Sequence, residues 1–257
     1  MSVPLHVLWP AERHGQVVEP DETEEVLAGL YACPGPRWLR ANMVTTLDGA
    51  ASGGDGLSGS ISTPADVRVF VLLRSLADVV LAGAGTVRAE RYGPPKARPA
   101  LARRREAGGQ PPAPALAVVT RRGNVPLDQG LFDGDRPALC VTCRAAGDDA
   151  LARLRDAAGP DNVVVAGDED VDLRRALDAL AERGLGRVLC EGGPSLLGDV
   201  ASAGLLDELC LTTSPVVTGG EAPRIVHGPP LGLPMTLAHL LHGDGTLLAR
   251  WVRQRMS

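Results

Sequence analysis

Aromatic residues make up only 3% of this 257-residue chain. A core must therefore be built from Ala, Val and Leu, and the stacking platforms that hold single-stranded bases are missing. Positive charge is not in excess: the formal net charge is −5, opposite to the basic footprint of a nucleic-acid-binding domain. No apolar run approaches the ~20 residues of a helical membrane span, and Met1 to Pro20 lacks the basic-then-apolar layout of a secretory leader. The expected location is cytoplasmic, with neither nucleic acid nor membrane as partner. Five cysteines are too few for a disulfide scaffold in a chain this long. Cys140-Val141-Thr142-Cys143 is a single CxxC inside a strand pattern, its thiols on opposite faces, so no metal site is expected. His239 and His242 read as surface or packing residues. Lys96 is the only lysine among 26 basic residues, and it lies in a Pro-rich stretch without P-loop glycines, which removes most lysine chemistry.

What is present is 44% hydrophobic, enough for one α/β domain. Residues 1–36 read as an N-terminal arm with a short helix at 21–30, and residues 37–257 as the domain. Strands are predicted at 38–46, 78–82, 115–120, 138–142, 162–166, 187–190 and 208–214. Helices are predicted at 63–76, 146–157, 171–183 and 194–203. Thr63 is a candidate N-cap, with Pro64 at the first helical position and Asp66 in the first turn. Residues 91–114 read as a long surface loop. The segments 235–241 and 246–254 pattern as an antiparallel hairpin across Gly243-Asp244-Gly245. Alternating strands and helices predict a mixed, mostly parallel sheet with helices on both faces.

The strongest local motif is Val188-Leu189-Cys190-Glu191-Gly192-Gly193-Pro194-Ser195-Leu196-Leu197-Gly198. An apolar strand ends in an acid, two glycines turn the chain, and a helix begins at Pro194. A helix start of this kind suits a pyrophosphate, and glycine lets the phosphate approach the backbone. An ordinary strand–helix connection would use the same glycines. Gly83-Ala84-Gly85-Thr86 repeats the arrangement, but Arg88 replaces the third glycine of a dinucleotide fingerprint. Two Gly turns without that fingerprint point to a nucleotide cleft of a different fold. Asp48-Gly49 is a turn pair, and Arg74 is either a dipole-complementing charge or an anion partner.

Four segments taken in order go further: Asn42-Met43-Val44-Thr45-Thr46-Leu47-Asp48-Gly49; Ser62-Thr63-Pro64-Ala65-Asp66 running to Leu72-Leu73-Arg74; Gly83 to Glu90; and Glu191 to Gly198 with Leu206-Asp207-Glu208-Leu209. Together they resemble the pyrimidine reductase of riboflavin biosynthesis, the reductase half of the bifunctional deaminase–reductase. The resemblance spans about 38–255. It implies a three-layer dihydrofolate-reductase-like α/β fold, a homodimer, and NADPH as cofactor. The implied reaction reduces the ribosyl group of 5-amino-6-(5-phosphoribosylamino)uracil, a phosphorylated pyrimidine, to the ribityl form by hydride attack at C1′ of an open, imine-like sugar. It implies catalytic roles for Glu191 and Asp48, and substrate contacts from Asn42, Ser58, Arg74 and Glu191. The cofactor residues it implies are Val44, Gly83, Gly85, Thr86 and Glu90, then Gly192, Gly193, Pro194, Ser195, Leu196 and Leu197. Thr120 and Arg121, with Arg122, lie where a cation for the 2′-phosphate is needed. The deaminase signatures H-x-E and P-C-x-x-C are missing. The family's third motif usually continues Asp-Pro-x-Leu-Thr-x-Arg, whereas here Glu90-Arg91-Tyr92-Gly93-Pro94-Pro95 follows. That departure keeps two other readings open: reduction of another substrate such as dihydrofolate or a related pteridine, and a non-catalytic ligand-binding homologue.

Overall fold

The computed structural model describes residues 3–133 and 136–254. Among them the strands are β1 (Leu5–Trp9), β2 (Val17–Val18), β3 (Trp38–Thr45), β4 (Val79–Gly83), β5 (Ala115–Val119), β6 (Leu139–Thr142), β7 (Val163–Val165), β8 (Arg187–Cys190), β9 (Glu208–Thr213), β10 (Met235–Gly243) and β11 (Thr246–Arg253). The α-helices are α1 (Glu25–Leu30), α2 (Pro64–Leu76), α3 (Ala84–Ala89), α4 (Pro99–Ala107), α5 (Asp148–Ala158), α6 (Leu173–Glu182) and α7 (Pro194–Ser202). All the strands join one sheet in the order β2-β1-β10-β11-β9-β3-β8-β4-β5-β6-β7. From β9 to β7 the pairs are parallel; from β9 to β2 they are antiparallel.

β4 shows why the middle of the sheet reads as a continuous apolar run. Val80 and Ala82 enter one core with Leu72 and Leu73 of α2, while Val79 and Leu81 enter the other with Leu197 of α7. With helices over both faces, none of these four residues is left for water. The predicted cap of α2 forms, Thr63 Oγ1 accepting from the Asp66 N–H at 3.3 Å. The hairpin turn places Asp244 at φ 52° and Gly245 at φ 75°, the pair of positive angles that matches the twist of its strands.

Two segments differ from the sequence reading. Residues 3–36 of the expected arm do not stand apart: β1 and β2 extend the sheet beyond β10. Buried Arg68 of α2 holds them, donating to both Glu24 carboxylate oxygens and to the carbonyls of Val3, Val18 and Glu19. Arg68 and Glu24 lie 44 positions apart, and only their pairing allows both to be buried. The expected loop at 91–114 contains α4, whose buried residues are Leu101 and Arg105. A single apolar residue gives no helical period to read. Arg105 anchors the helix instead, through the carbonyls of Ser75, Ala77 and Pro111.

The crossovers set the site. The connection β3–α2–β4 steps over β8, and β8–α7–β9 steps over β3, so the carboxyl ends of β3, β8 and β4 emerge side by side. Open α/β sheets hold ligands at such a crossing.

Candidate active site

Gly83 N–H donates to Gly192 O at 2.8 Å, which locks the turn after β4 onto the turn after β8. Gly192 has φ +82°, and a Cβ there would lie 3.3 Å from the Met43 thioether, so backbone freedom and close approach both require glycine. The Gly192–Gly193 peptide is cis. At Gly193 an added Cβ would stand 2.7 Å from Thr86 Oγ1. The starts of α3 and α7 therefore adjoin, and neither is capped by a side chain. Between them and Pro223 opens a cavity of about 220 Å³ whose wall includes Gly85, Thr86, Gly193 and Pro194. A glycine cradle at two uncapped helix starts has the backbone chemistry to hold an anionic group such as a pyrophosphate.

A second cavity, about 510 Å³, lies beside it and is lined by Asn42, Val44, Ser58, Phe70, Arg74 and Glu191 among others. The two share walls at Met43, Ala51, Ser58, Glu90 and Glu191. Glu191 is the most constrained group on that boundary, its side chain 2% exposed. Arg74 Nε donates to Oε1 and an Arg74 terminal nitrogen to Oε2, both at 2.7 Å, while the Tyr92 hydroxyl donates to Oε2 at 2.6 Å. The Arg74 guanidinium lies 4.3 Å from the Phe70 ring centroid and 5.4 Å from that of Tyr92. Phe70 and Arg74 are one helical turn apart on α2, so they share a face. Burial opposes the charge on Arg74, but bonding to Glu191 outweighs it and keeps the guanidinium's pKa above the usual value. Burial, then the Glu191 charge, push the Tyr92 phenol well above its ordinary range, so it remains a donor to the carboxylate.

Not every expected residue joins these cavities. Glu90, expected at the cofactor, uses Oε1 to accept from both the Ser58 N–H and Ser58 Oγ, each at 2.8 Å. It thereby fixes the loop after β3 against both cavities. Val44 lines the larger cavity beside Asn42. Leu196 and Leu197, expected at the cofactor, are buried in the core beneath α7; being apolar, their side chains face away from the cleft, and exposed Ser195 is the polar group of that turn. Thr120 Oγ1 accepts from the Asn124 N–H at 3.1 Å and closes its own turn. Arg121 is exposed and paired with Asp170 at 2.7 Å. Both follow β5, whose Val119 is the register partner of Gly83, so they sit one strand beyond the glycine cradle and line neither cavity.

The structure does not bring Asp48, expected as catalytic, to either cavity. Its carboxylate accepts from Thr46 Oγ1 and from the backbone N–H groups of Thr218 and Gly219, the last at 2.6 Å. The Thr46 hydroxyl first, then these amides, lower its pKa to about 2. It has no proton to give at neutral pH, and its geometry is that of a brace between β3 and the loop at 215–219. Because the folded-state value lies below the ordinary one, the stabilisation is present above about pH 4 and is lost as pH falls through about 2. Asp48→Asn is expected to keep near-normal turnover. Its stability deficit at pH 7 should shrink steadily between pH 4 and pH 2 in denaturant titrations. A pH-independent deficit would count against the brace.

Polar residues of the larger cavity that sequence reasoning did not place there include Arg91, Tyr92 and Asp66. Tyr92 lies in a segment where only the departure from the family motif was visible. Asp66 was read as a dipole partner of α2; it also lines the cavity, with Ser62 Oγ donating to Oδ2 and burial raising its pKa. Among the described residues there is no group of three His, Cys, Asp or Glu side chains placed to hold a metal ion, and no helix long and apolar enough to cross a membrane.

Comparison with known proteins gives the family and the fold. The family model described as the RibD C-terminal domain matches residues 37–248. A 2,5-diamino-6-ribosylamino-4(3H)-pyrimidinone 5′-phosphate reductase of Archaeoglobus fulgidus is 29% identical, the match covering 74% of this chain and 86% of that protein. The reductase of the same name from Methanothermobacter thermautotrophicus is 30% identical over 71% of this chain and 80% of its own length. The crystal structure of a pyrimidine reductase-like protein from Corynebacterium diphtheriae superposes with a TM-score of 0.78 at 26% identity, covering 86% of this chain and 93% of that one.

Proposed function

The chain belongs to the RibD C-terminal domain family, and on that premise we propose that it is an NADPH-dependent reductase of a phosphorylated 6-ribosylaminopyrimidine, converting the ribosyl group to ribityl in riboflavin biosynthesis. The observation that carries the reading is the pair of cavities with common walls at Met43, Ser58, Glu90 and Glu191. A donor held at the glycine turns and an acceptor held beside Arg74 would meet across that boundary, and transfer between two bound partners requires such contact.

NADPH supplies a hydride when bound. Gly85, Thr86, Gly193, Pro194 and Ser195 would hold its phosphate and nicotinamide half, and Thr120 and Arg121 lie further along the same sheet edge for the adenosine half. On the substrate side, Ser58 and Asn42 offer hydrogen bonds. The Glu191 oxygens keep lone pairs beyond those used by Arg74 and Tyr92, so the carboxylate can still accept a substrate N–H. In a protonated open-chain imine, hydride addition at C1′ completes the amine without a further proton. The site then needs a fixed carboxylate to orient the substrate more than it needs an acid, and that is how Glu191 is held.

NADPH oxidation followed by absorbance tests this. The relatives named above direct the first assay to the 2,5-diamino-pyrimidinone form, with the aminouracil form and dihydrofolate alongside, and sedimentation at assay concentration tests the homodimer that belongs to the same reading. Turnover of a ribosylaminopyrimidine phosphate is expected. Absence of NADPH binding by calorimetry, or turnover of dihydrofolate alone, would overturn the assignment.

A further inference from the structure

The larger cavity is unevenly charged. Asp66, Glu90 and Glu191 bring carboxylates to its wall, and Arg74 and Arg91 bring guanidiniums. Arg74 is committed to Glu191 through two hydrogen bonds. Glu90 is turned onto Ser58, and buried Asp66 onto Ser62; neither forms an ion pair with a described residue. Arg91 is exposed and makes no hydrogen bond or ion pair with any described residue. The wall therefore has unmatched negative charge inside and unspent positive charge at its mouth. Lys96, the nearby lysine in sequence, does not line the cavity.

The backbone holds Arg91 in this place. Its φ of 51° lies in the left-handed region, uncommon for a long side chain without a local hydrogen bond. The next residue is tied down twice: Tyr92 N–H donates to Val87 O at 3.0 Å, and its hydroxyl donates to Glu191. Tyr92 thus acts as a strut that carries Arg91 to the rim.

We infer that Arg91 anchors the substrate phosphate at the mouth of the larger cavity, with the pyrimidine directed inward toward Glu191. This rests on the reductase reading above. A phosphate dianion is repelled by interior carboxylates and attracted to an unpaired guanidinium, whose fork matches two phosphate oxygens. The same charge gradient orients the molecule: its N–H donors suit the acidic interior, and its anion suits the rim.

The test compares wild type, Arg91→Ala and Arg91→Lys on the phosphorylated ribosylaminopyrimidine and on its dephosphorylated nucleoside. For Arg91→Ala, KM for the phosphorylated substrate is expected to rise about tenfold, equivalent to ~1.4 kcal/mol. kcat, KM for the nucleoside and NADPH affinity should stay within twofold, and Arg91→Lys should recover part of the loss. An unchanged KM, or equal rises for both substrates, would overturn the anchor. Inorganic phosphate titrated into the NADPH-loaded protein provides a second readout, with weaker binding expected in Arg91→Ala; equal binding would also overturn it. If wild type reduces no pyrimidine while Arg91→Ala still loses phosphate affinity, the reductase reading fails and the anion site stands.

Discussion

Gly193→Val is expected to abolish NADPH binding, raising Kd at least about a hundredfold (~2.8 kcal/mol), while the protein remains folded. Gly193 has φ −67° and ψ −172°, extended values that any residue adopts, so the backbone itself tolerates the change. The cost arises in the cleft. A Cβ alone would come within 2.7 Å of Thr86 Oγ1, closer than non-bonded atoms approach, and two further methyl groups would enter a cavity of about 220 Å³. Thr86 has a short side chain with few χ1 alternatives on α3, so a full valine side chain is accommodated chiefly by moving the two helix starts apart. That movement disperses the N–H groups proposed to hold the pyrophosphate. Gly193 is only half-buried and lies at the cleft surface, so the hydrophobic core is not disturbed. Calorimetry measures the affinity, and circular dichroism with a thermal melt confirms the fold. Wild-type affinity in this variant would place the cofactor elsewhere.

The second large effect is expected at Glu191, where two substitutions separate structure from function. Glu191→Ala leaves Arg74 without its carboxylate and the Tyr92 hydroxyl without an acceptor. Removing one partner of a fully buried pair costs about 3–5 kcal/mol. The Arg74 side chain is 21% exposed, so water recovers part of this, and a loss of about 2–3 kcal/mol is expected. Glu191→Gln keeps an oxygen for Tyr92 and the shape of the side chain, so its stability should lie closer to wild type. Both variants should lose at least about a hundredfold in kcat/KM, since each removes the charged hydrogen bond proposed between Glu191 and the substrate. Denaturant melts and steady-state kinetics on the same preparations separate the two effects. Glu191→Gln with wild-type kcat/KM would remove this carboxylate from the substrate side.

The parts legible in the sequence are those whose physics is local. Thr63-Pro64 marks the start of α2 because the cap and the fixed proline φ act within three residues. Val79 to Ala82 reads as a doubly covered strand because each of its residues is apolar. Glu191-Gly192-Gly193-Pro194 reads as a turn that suits an anion because the glycines and the helix start act within four residues, although an ordinary strand–helix connection would use the same glycines. Arg74 was ambiguous between a surface charge and an anion partner; the structure turns it inward, onto Glu191, 117 positions away. Leu196 and Leu197 follow the glycine turn in the motif, and the structure sends their apolar side chains to the core, leaving the backbone of that turn for a ligand.

The sequence by itself therefore determined the class of fold, the glycine turns and the acid beside them, since propensity, patterning and turn chemistry depend on neighbours along the chain. Tertiary structure alone decided that β1 and β2 of the N-terminal segment extend the sheet, that α4 exists, that Asp48 braces a loop, and that Tyr92 and Arg91 border the larger cavity. Each of these depends on pairing between groups distant in sequence: Arg68 with Glu24, Arg105 with three carbonyls, Asp48 with the amides of Thr218 and Gly219, Tyr92 with Glu191. Burial of a charge or a hydroxyl is favourable only when its partner arrives with it, and that arrival is a property of the folded chain.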